Sequence, residues 1–473
     1  MEKKLSTEWH IIFLKYMLII GSILLFLIPP IQAPDENVHF YNAYGFMSGD
    51  FYPEFRTNTY TGRVFPKDII EYVTYWDEVG HSDVGQDKVE LSKVIEQSWE
   101  YHIDYQDTEF KEYWASGANM VAYIFSGGGM LFCKLLFRLF GMDATPYNLL
   151  VGGRAGNLFF YIAMIYYAIK IAPVYKRTLI ALAMMPMSIF QSATLSYDAI
   201  LIPCCFLLFA LILKYIRTEA MVSKKDFMLM CLISVIMFNV KTVYAPFLIG
   251  LAFIPQKQFG GIKRYLVAGA IVICCGVGCY LLNKIALSMS IRGFQNAYQP
   301  ARTQQTQYLL SHLVSFWENI YNSVRAFGRH YWSSFMGNIG ILRLRLPQNI
   351  LLPYTMLLIF LSIWESNCGK ILTFVQRMIL LVMVVLTVYA SFAGIYVSWT
   401  SISHEIGINW VDGIQGRYFM PIAIFVPLLL SHRKVEIKQI AKLEGFADGV
   451  TLYAVTLVPV VTILFEILRF WSI

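Results

Sequence analysis

The sequence predicts an all-α, polytopic membrane protein with about eleven transmembrane helices in one integral membrane domain, residues 1–473. Apolar residues fill 57% of the 473 positions and charged residues only 15%, and the apolar positions form repeated runs near bilayer length. The segment 31–118 holds 17 of the 31 acids but 6 of the 38 Lys and Arg residues. The net charge of this segment is therefore −11. Because the net charge of the whole chain is +7, the remaining residues carry a net charge of +18. A large outside loop and basic inside loops divide charge in this way.

The remaining composition excludes several other classes of protein. The basic residues lie in short loops between apolar runs, so the positive charge does not indicate a nucleic-acid partner. The eight cysteines fall almost entirely within apolar runs and show no metal-ligand spacing, so no disulfide framework is expected. We expect neither a metal nor a cofactor.

The first helix is predicted at about 11–30. Lys3 and Lys4 precede this apolar run, and no small-residue cleavage pattern follows it, so we expect a retained signal anchor that leaves a cytoplasmic N-terminus. A first extracytoplasmic loop, 31–147, then carries juxtamembrane helices. One of these helices has a single apolar face suited to the membrane surface. That face contains Leu91, Val94, Ile95, Trp99 and Ile103.

Residues 121–140 allow two interpretations. They are apolar and long enough to cross the bilayer, although three consecutive glycines interrupt them. If they cross, the basic residues Lys170, Lys176 and Arg177 fall outside. If they lie in the outer interface or re-enter it, those residues and every later basic cluster fall inside, and we favour this interpretation.

The later elements follow from alternating apolar runs and basic loops. This alternation predicts that the C-terminus lies outside and that 289–346 form a second extracytoplasmic loop. Shorter outside segments are predicted at 192–197, 240–241 and 398–416. The spans after the first helix are predicted at about 148–170, 178–194, 198–216, 227–240, 242–256, 265–288, 348–364, 372–397, 417–431 and 449–470.

Unusual polar residues gather on the predicted outer side. Asp35, Glu36 and His39 follow the first helix almost at once, and Arg417 begins the apolar run 419–430. Ionisable groups at the edge of a bilayer are costly to hold in apolar surroundings and usually mark chemistry or transport. The same side is predicted to hold Arg154, Asp198, Lys241, Gln415 and Tyr418.

Each of these polar residues also has a purely structural explanation. Asp35 and Glu36 suit the start of a helix near residue 37, as Asp198 does after Ser196. Arg154, Lys241 and Arg417 are long enough to reach the headgroups from within the bilayer. The sequence leaves these alternatives open.

Four segments resemble a bacterial membrane-protein family catalogued as domain of unknown function 2142. They occur in the same order over about 400 residues, and their combination is more specific than any one of them. The third departs from the family pattern, because Ile341–Pro347 replaces a continuation that contains tryptophan and aspartate. The segments are Pro34–Tyr44, Pro186–Asp198, Ser333–Gly340 and Gly413–Pro421.

The family is similar in layout to the GT-C glycosyltransferases, polytopic enzymes with an acid in the first outer loop. This resemblance implies an inverting transferase at the outer face of the cell membrane, in cell-wall or polysaccharide biosynthesis. The donor would be a sugar on a polyprenyl phosphate, and the acceptor a cell-surface glycan or glycopolymer. Membrane lipids would be its other partners.

The roles implied for the residues follow from that reaction. A carboxylate must accept the proton of the acceptor hydroxyl, and cations must stabilise the leaving phosphate. Asp35 is the expected base, with Glu36 as its partner or alternative. Arg417 is the first choice for the phosphate, with two other cations, Lys241 and Arg154, as second choices. The residues expected to shape the sugar or acceptor site are His39, Gln415 and Tyr418.

Other functions use similar features. A transporter or flippase of lipid-linked polysaccharide would carry polar groups at mid-membrane depth, often in internal repeats. A polymerase or ligase of lipid-linked polysaccharide differs only in its acceptor. A non-catalytic scaffold would use the acidic loop as a binding surface.

Overall fold

The computed structural model describes residues 8–81, 89–100, 102–342, 344–367, 369, 371–431 and 440–472. Lys3 and Lys4, on which the signal anchor prediction depends, lie outside these ranges, and so does the side chain of Trp99. Helices account for most of the described chain, which confirms the all-α prediction.

The described residues of the first half of the chain form ten α-helices, some of them short. A 3-10 helix, Met120–Tyr123, precedes the fifth. The helices are α1 (Trp9–Leu27), α2 (Glu36–Ser48), α3 (Lys67–His81), α4 (Leu91–Glu100), α5 (Ile124–Leu139), α6 (Pro146–Ile171), α7 (Lys176–Ala183), α8 (Pro186–Ser192), α9 (Asp198–Arg217) and α10 (Lys224–Val240).

The second half begins with two 3-10 helices, Thr242–Phe253 and Gln256–Phe259, and later contains a π-helical turn, Tyr396–Thr400, and a 3-10 turn, Gly416–Phe419. Its α-helices are α11 (Ile262–Ser290), α12 (Gln299–Ser311), α13 (Phe316–Met336), α14 (Gln348–Ser366), α15 (Phe374–Ile395), α16 (Ser401–Ser403), α17 (Met420–Ala423), α18 (Val426–Leu429) and α19 (Ile440–Phe470).

Short strands tie the loops to the bundle. In the acidic loop, β1 (Gly62–Pro66) pairs antiparallel with β3 (Thr108–Glu112), with Gly62 opposite Glu112. The strand β2 (Val89–Glu90) pairs in parallel with β6 (Trp471–Ser472), so the end of the chain lies against the first loop. In the second loop, β4 (Asn338–Ile339) pairs antiparallel with β5 (Leu344–Arg345).

Among the described residues, eight helices are long and apolar enough to cross a membrane, so the predicted count of eleven is not confirmed. Prolines explain part of the difference, because a proline has no N–H and is best accommodated in the first turn of a helix. Pro186 starts α8 and divides the predicted span 178–194. The eight helices are Trp9–Leu27, Met120–Leu139, Pro146–Ile171, Asp198–Arg217, Ile262–Ser290, Gln348–Ser366, Phe374–Ser403 and Glu444–Phe470.

The helices α5 and α6 form a close hairpin. A Cβ atom on Gly156 would lie 2.1 Å from the carbonyl oxygen of Phe125, and one on Gly129 would lie 2.2 Å from that of Gly152. The rings of Phe125 and Phe160 stack at 3.9 Å. The helix α5 therefore lies beside the N-terminal half of α6 and does not reach its other end.

The helix α6 runs antiparallel to α1. Its Arg154 binds the carbonyl of Ile28 at the end of α1, and its Tyr166 contacts His10 near the start of α1, with ring centroids 5.3 Å apart. Lys170 therefore lies at the same end of the bundle as the start of α1. This is the sidedness that the interfacial or re-entrant interpretation of 121–140 requires.

The helix α9 is the centre of the bundle, with nearly all of its side chains buried. Its first residue, Asp198, lies at the end of the bundle where α1 finishes. Its last turn lies at the opposite end, where Lys214 binds Asp226 of α10 at 2.6 Å. The candidate site lies at the Asp198 end.

Candidate functional site

Asp35 lies between the end of α1 and the first residue of α2, in the left-handed backbone conformation with φ of +61°. Aspartate tolerates this region better than most residues. Its carboxylate makes no capping hydrogen bond to α2, so the helix-cap interpretation does not describe it. The Asp35 side chain is 39% exposed and binds Arg417 instead.

Arg417 joins two carboxylates that are far apart in the sequence. Its Nη2 lies 3.1 Å from Oδ2 of Asp35, and its Nη1 lies 3.3 Å from Oδ2 of Asp198. Its Nε donates to Oε1 of Gln415 at 2.5 Å. The side chain is only 3% exposed, so the structure excludes a simple extension of Arg417 into the headgroups.

Asp198 is the second carboxylate of the cluster. The side chain is 1% exposed, and apart from Arg417 neither oxygen meets a hydrogen-bond donor among the described residues. Its position in the first turn of α9 places it where the helix dipole favours a negative charge. The helix-cap interpretation does not describe Asp198, because Tyr197 is the N-cap of α9 and the Asp198 carboxylate pairs with Arg417 and not with the helix backbone.

Lys241 supplies a second cation. Its Nζ is buried and has no hydrogen-bond partner among the described residues. It lies 3.8 Å from the ring centroid of Tyr418 and 5.3 Å from that of Tyr197. Burial lowers the pKa of Lys241 to about 8, an effect that Asp198 opposes and Arg417 reinforces.

His39 lies one turn along α2. Its Nδ1 is 3.0 Å from the hydroxyl of Tyr123, and its ring meets that of Tyr197 edge-on at 4.9 Å. Burial lowers the pKa of His39 to about 4, so the imidazole is neutral near pH 7. Its backbone N–H donates to the carbonyl of Asp35, which fixes the turn that presents the carboxylate.

Tyr418 forms the surface between the two cations. Its ring faces Lys241, and the Arg417 guanidinium lies 5.5 Å from its centroid. Its carbonyl accepts a hydrogen bond from the hydroxyl of Tyr244 at 2.6 Å. Burial raises the pKa of Tyr418 to about 12, so its hydroxyl stays protonated near pH 7.

Glu36 and Arg154 form a separate, fully buried ion pair. The Arg154 Nε and Nη2 donate to the two Glu36 oxygens at 2.9 and 2.7 Å. Arg154 also donates to the carbonyls of Ile28 and Pro29, and Glu36 accepts from the backbone N–H of Leu195. Arg154 therefore does not extend into the headgroups.

This pair joins the end of α1, the start of α2, α6 and the chain before α9. Both side chains are committed to each other and to the backbone, with no exposed surface. The predicted roles of Glu36 as a second base and Arg154 as a phosphate ligand stay predictions. The geometry favours a positioning role, because the pair fixes the residue next to Asp35.

The four segments quoted from the sequence meet around this cluster. Glu36 contacts Leu195 of the second segment, and Arg417 contacts Asp35 of the first. The Ser334 hydroxyl of the third segment accepts the N–H of Gly416 at 2.8 Å. Sequence reasoning quoted the third segment but assigned no role to this hydroxyl.

No group of three or more His, Cys, Asp or Glu side chains in the described parts of the chain is arranged to hold a metal ion. The described residues of the cluster supply a half-exposed carboxylate, a shared guanidinium and an ammonium that lies over the rings of Tyr418 and Tyr197. A carboxylate can accept a proton, and the cations can stabilise a phosphate.

Comparison with known proteins gives one match. The model of a family described as "Predicted membrane protein (DUF2142)" matches residues 18–426. No curated protein and no solved structure matches the chain. The match covers most of the chain and all four segments that resembled the family, so the chain belongs to the DUF2142 family of predicted membrane proteins.

Proposed function

We propose that the protein is a membrane glycosyltransferase that moves a sugar from a polyprenyl phosphate to a cell-surface glycan or glycopolymer. One observation carries the proposal. The open carboxylate of Asp35 shares Arg417 with the buried Asp198, beside the ammonium of Lys241, which has no hydrogen-bond partner among the described residues. This arrangement offers a proton acceptor and phosphate-binding cations within one cluster.

In the proposed reaction, Asp35 accepts the proton of the acceptor hydroxyl as its oxygen attacks the anomeric carbon. The bond from that carbon to the phosphate oxygen breaks, and polyprenyl phosphate leaves with the bonding electrons. Attack opposite the leaving group inverts the anomeric centre. The accepted proton later passes from Asp35 to water.

The two cations have different roles in this scheme. Arg417 already binds two carboxylates, so much of its charge is compensated and it holds Asp35 in place. The Nζ of Lys241 has no such partner among the described residues. We therefore assign the leaving phosphate first to Lys241, with Arg417 as the second contact, which reverses the order expected from the sequence.

The proposed side of the membrane follows from the charge distribution. The acidic first loop and the Asp35 cluster lie at one end of the bundle, and basic residues such as Lys170 and Lys214 lie at the other. Cytoplasmic loops carry the excess of Lys and Arg. We therefore place the N-terminus in the cytoplasm and the Asp35 cluster at the outer face of the cell membrane.

The test is the substitution Asp35→Asn, which keeps the shape and removes the proton acceptor. The purified protein is incubated in proteoliposomes with a panel of radiolabelled polyprenyl-phosphate hexoses and isolated cell-wall glycan, and labelled glycan is measured. Loss of general base catalysis should lower the rate by about 10²–10⁴-fold. Asp107→Asn is the control, because Asp107 lies in the same loop and makes a surface pair with Lys67.

Transfer by Asp35→Asn at the rate of the unsubstituted protein would exclude Asp35 as the base. Absence of transfer from every donor by the unsubstituted protein, at normal expression and folding, would contradict the proposed function itself.

A further inference from the structure

The second large loop exposes a continuous apolar stripe where α12 turns into α13. Leu310 lies on α12, Leu313 and Val314 lie in the turn, and the three members on α13 are three or four residues apart, so they share one face of that helix. Val314, at the turn itself, is 86% exposed. The stripe consists of Leu310, Leu313, Val314, Trp317, Tyr321 and Val324. We name the turn between α12 and α13, together with this stripe, the α12–α13 corner.

The α12–α13 corner packs against the side of a long apolar helix. The Tyr389 hydroxyl of α15 donates to the carbonyl of Leu313 at 2.8 Å. The rings of Phe316 and Trp317 lie 5.4 and 5.1 Å from that of Tyr389. The corner is therefore fixed to α15 by a hydrogen bond and two aromatic contacts.

The depth of this contact is set by the length of α15. Tyr389 comes 15 residues after Phe374, the first residue of α15, which is about 22 Å along a helix axis. A hydrocarbon core is about 30 Å thick. A helix that crosses the bilayer from Phe374 therefore holds Tyr389, and the corner beside it, within the apolar layer.

The exposed face of α15 continues into the α12–α13 corner. Val382, Val385 and Leu386, on the turns before Tyr389, are exposed apolar side chains of a membrane-crossing helix. The corner covers Tyr389 and extends the same apolar surface outward from the bundle. Because the corner and the exposed face of α15 form one apolar surface, we expect the same acyl chains to surround both.

Charged residues border the stripe on α13. Glu318, Arg325 and Arg329 are exposed and lie seven and four residues apart, so they form a row beside the apolar face. Helices that lie in a membrane interface bury an apolar face and direct charged side chains to the headgroups. A protein partner would need a complementary surface, whereas lipid satisfies both parts of this pattern.

We propose that the α12–α13 corner inserts into the leaflet that faces the Asp35 cluster and that lipid acyl chains cover its apolar stripe. The second loop is then a membrane-embedded element next to the candidate site. This inference is independent of the proposed transferase activity.

The test places the photocrosslinker p-benzoylphenylalanine at position 314 of the full chain, in nanodiscs that contain radiolabelled phosphatidylcholine. The same group at Val382 is the lipid-facing reference, and at Glu318 it is the matched control on the charged row. We expect labelled lipid adducts at position 314 to match those at position 382 and to exceed those at position 318 severalfold.

Adducts at position 314 no more abundant than at position 318 would overturn the proposal. A crosslink from position 314 to a second copy of the chain, in place of lipid, would also overturn it and would assign the stripe to a protein interface. Lipid adducts at position 382 verify in each preparation that the bilayer is intact.

Discussion

Lys241 is a buried cation of the cluster whose Nζ has no hydrogen-bond partner among the described residues. Burying an ammonium is costly, and in the part of the chain that the structure describes its contacts are the rings of Tyr418 and Tyr197, with no carboxylate in an ion pair. Its lowered pKa follows from that burial. A bound phosphate would supply the missing counter-charge.

The lowered pKa predicts how donor binding depends on pH. Lys241 loses its positive charge as pH rises through about 8, so the KM for a polyprenyl-phosphate sugar should be constant below that value and rise about tenfold per pH unit above it. Lys241→Arg, with an ordinary pKa above 12, should remove this rise. The measurement is donor KM between pH 6.5 and 9.5, and identical profiles for the two proteins would contradict it.

The buried pair Glu36–Arg154 makes a prediction about stability. Glu36→Gln leaves the Arg154 guanidinium uncompensated, which should lower the free energy of unfolding by about 3–5 kcal/mol. The double variant Glu36→Gln, Arg154→Met should recover part of that loss. Thermal unfolding in detergent measures both.

The matched control for that pair is Glu54→Gln. Glu54 faces Arg56 at 3.5 Å on the surface, where both side chains are more than half exposed. Such pairs contribute little, so its unfolding temperature should stay unchanged. Equal effects of Glu36→Gln and Glu54→Gln would show that the buried pair does not stabilise the fold.

Individual residues were predicted from the sequence to differing degrees. Asp35 and Arg417 were expected on the same outer side and in the same reaction, and the structure joins them in an ion pair. Asp198 was explained as a helix cap, because a sequence does not show which carboxylate a distant guanidinium will reach. Glu36 and Arg154 were read as site residues for the same reason, since their mutual contact spans 118 positions.

At the scale of elements, α13 positions Arg417. The backbone before Arg417 packs so closely that a Cβ on Gly416 would lie 1.8 Å from the carbonyl oxygen of Tyr331 and 2.5 Å from the backbone nitrogen of Phe335. The Ser334 hydroxyl accepts the Gly416 N–H in the same contact. The arginine is therefore held by a helix that the sequence did not connect with it.

This contact predicts that Gly416→Ala displaces Arg417 and impairs transfer although every charged residue remains. The variant should lose most of its activity and show a lower unfolding temperature. Gly278→Ala on α11 is the control, because a Cβ there meets open space and alanine is the better helix former by about 0.5–1 kcal/mol. Full activity of Gly416→Ala would disprove the positioning role.

The sequence predicted long elements better than interrupted ones. The runs at α1, α9 and α11 became continuous helices, in α9 despite Pro203, because a backbone in apolar surroundings satisfies its hydrogen bonds within the helix. The predicted span 417–431 instead forms short pieces, with prolines near the starts of α17 and α18. Hydropathy alone does not show where tertiary packing will replace a straight helix.

The whole molecule has two chemically different ends. One end of the bundle, where α1 finishes, carries the acidic loop and the Asp35 cluster. The other carries Arg177, which binds Glu365 at 3.6 Å and Asp448 at 2.6 Å. The uneven distribution of charged residues along the sequence predicted that the acidic loop and the basic loops lie at opposite ends. This prediction needs only the positions of the charges in the sequence and no knowledge of contacts.

Labelling with a membrane-impermeant maleimide tests the proposed orientation. Glu109→Cys, in the acidic loop, should react in intact cells, whereas the exposed Lys257→Cys should react only after permeabilisation. The unsubstituted chain gives the background from its own cysteines. The opposite pattern would place the Asp35 cluster on the cytoplasmic side.

Because Glu36 and Arg154 are sealed from solvent, the contribution of their ion pair to the fold should not depend on ionic strength. Dissolved ions screen exposed charges over about 10 Å at 0.1 M salt but have little effect on a dry pair. The opening beside Asp35 admits those ions, and the interior contact does not. A change in the proposed transfer rate on adding sodium chloride would thus report ions that compete at the Asp35 cluster and not a loosening of the Glu36–Arg154 contact.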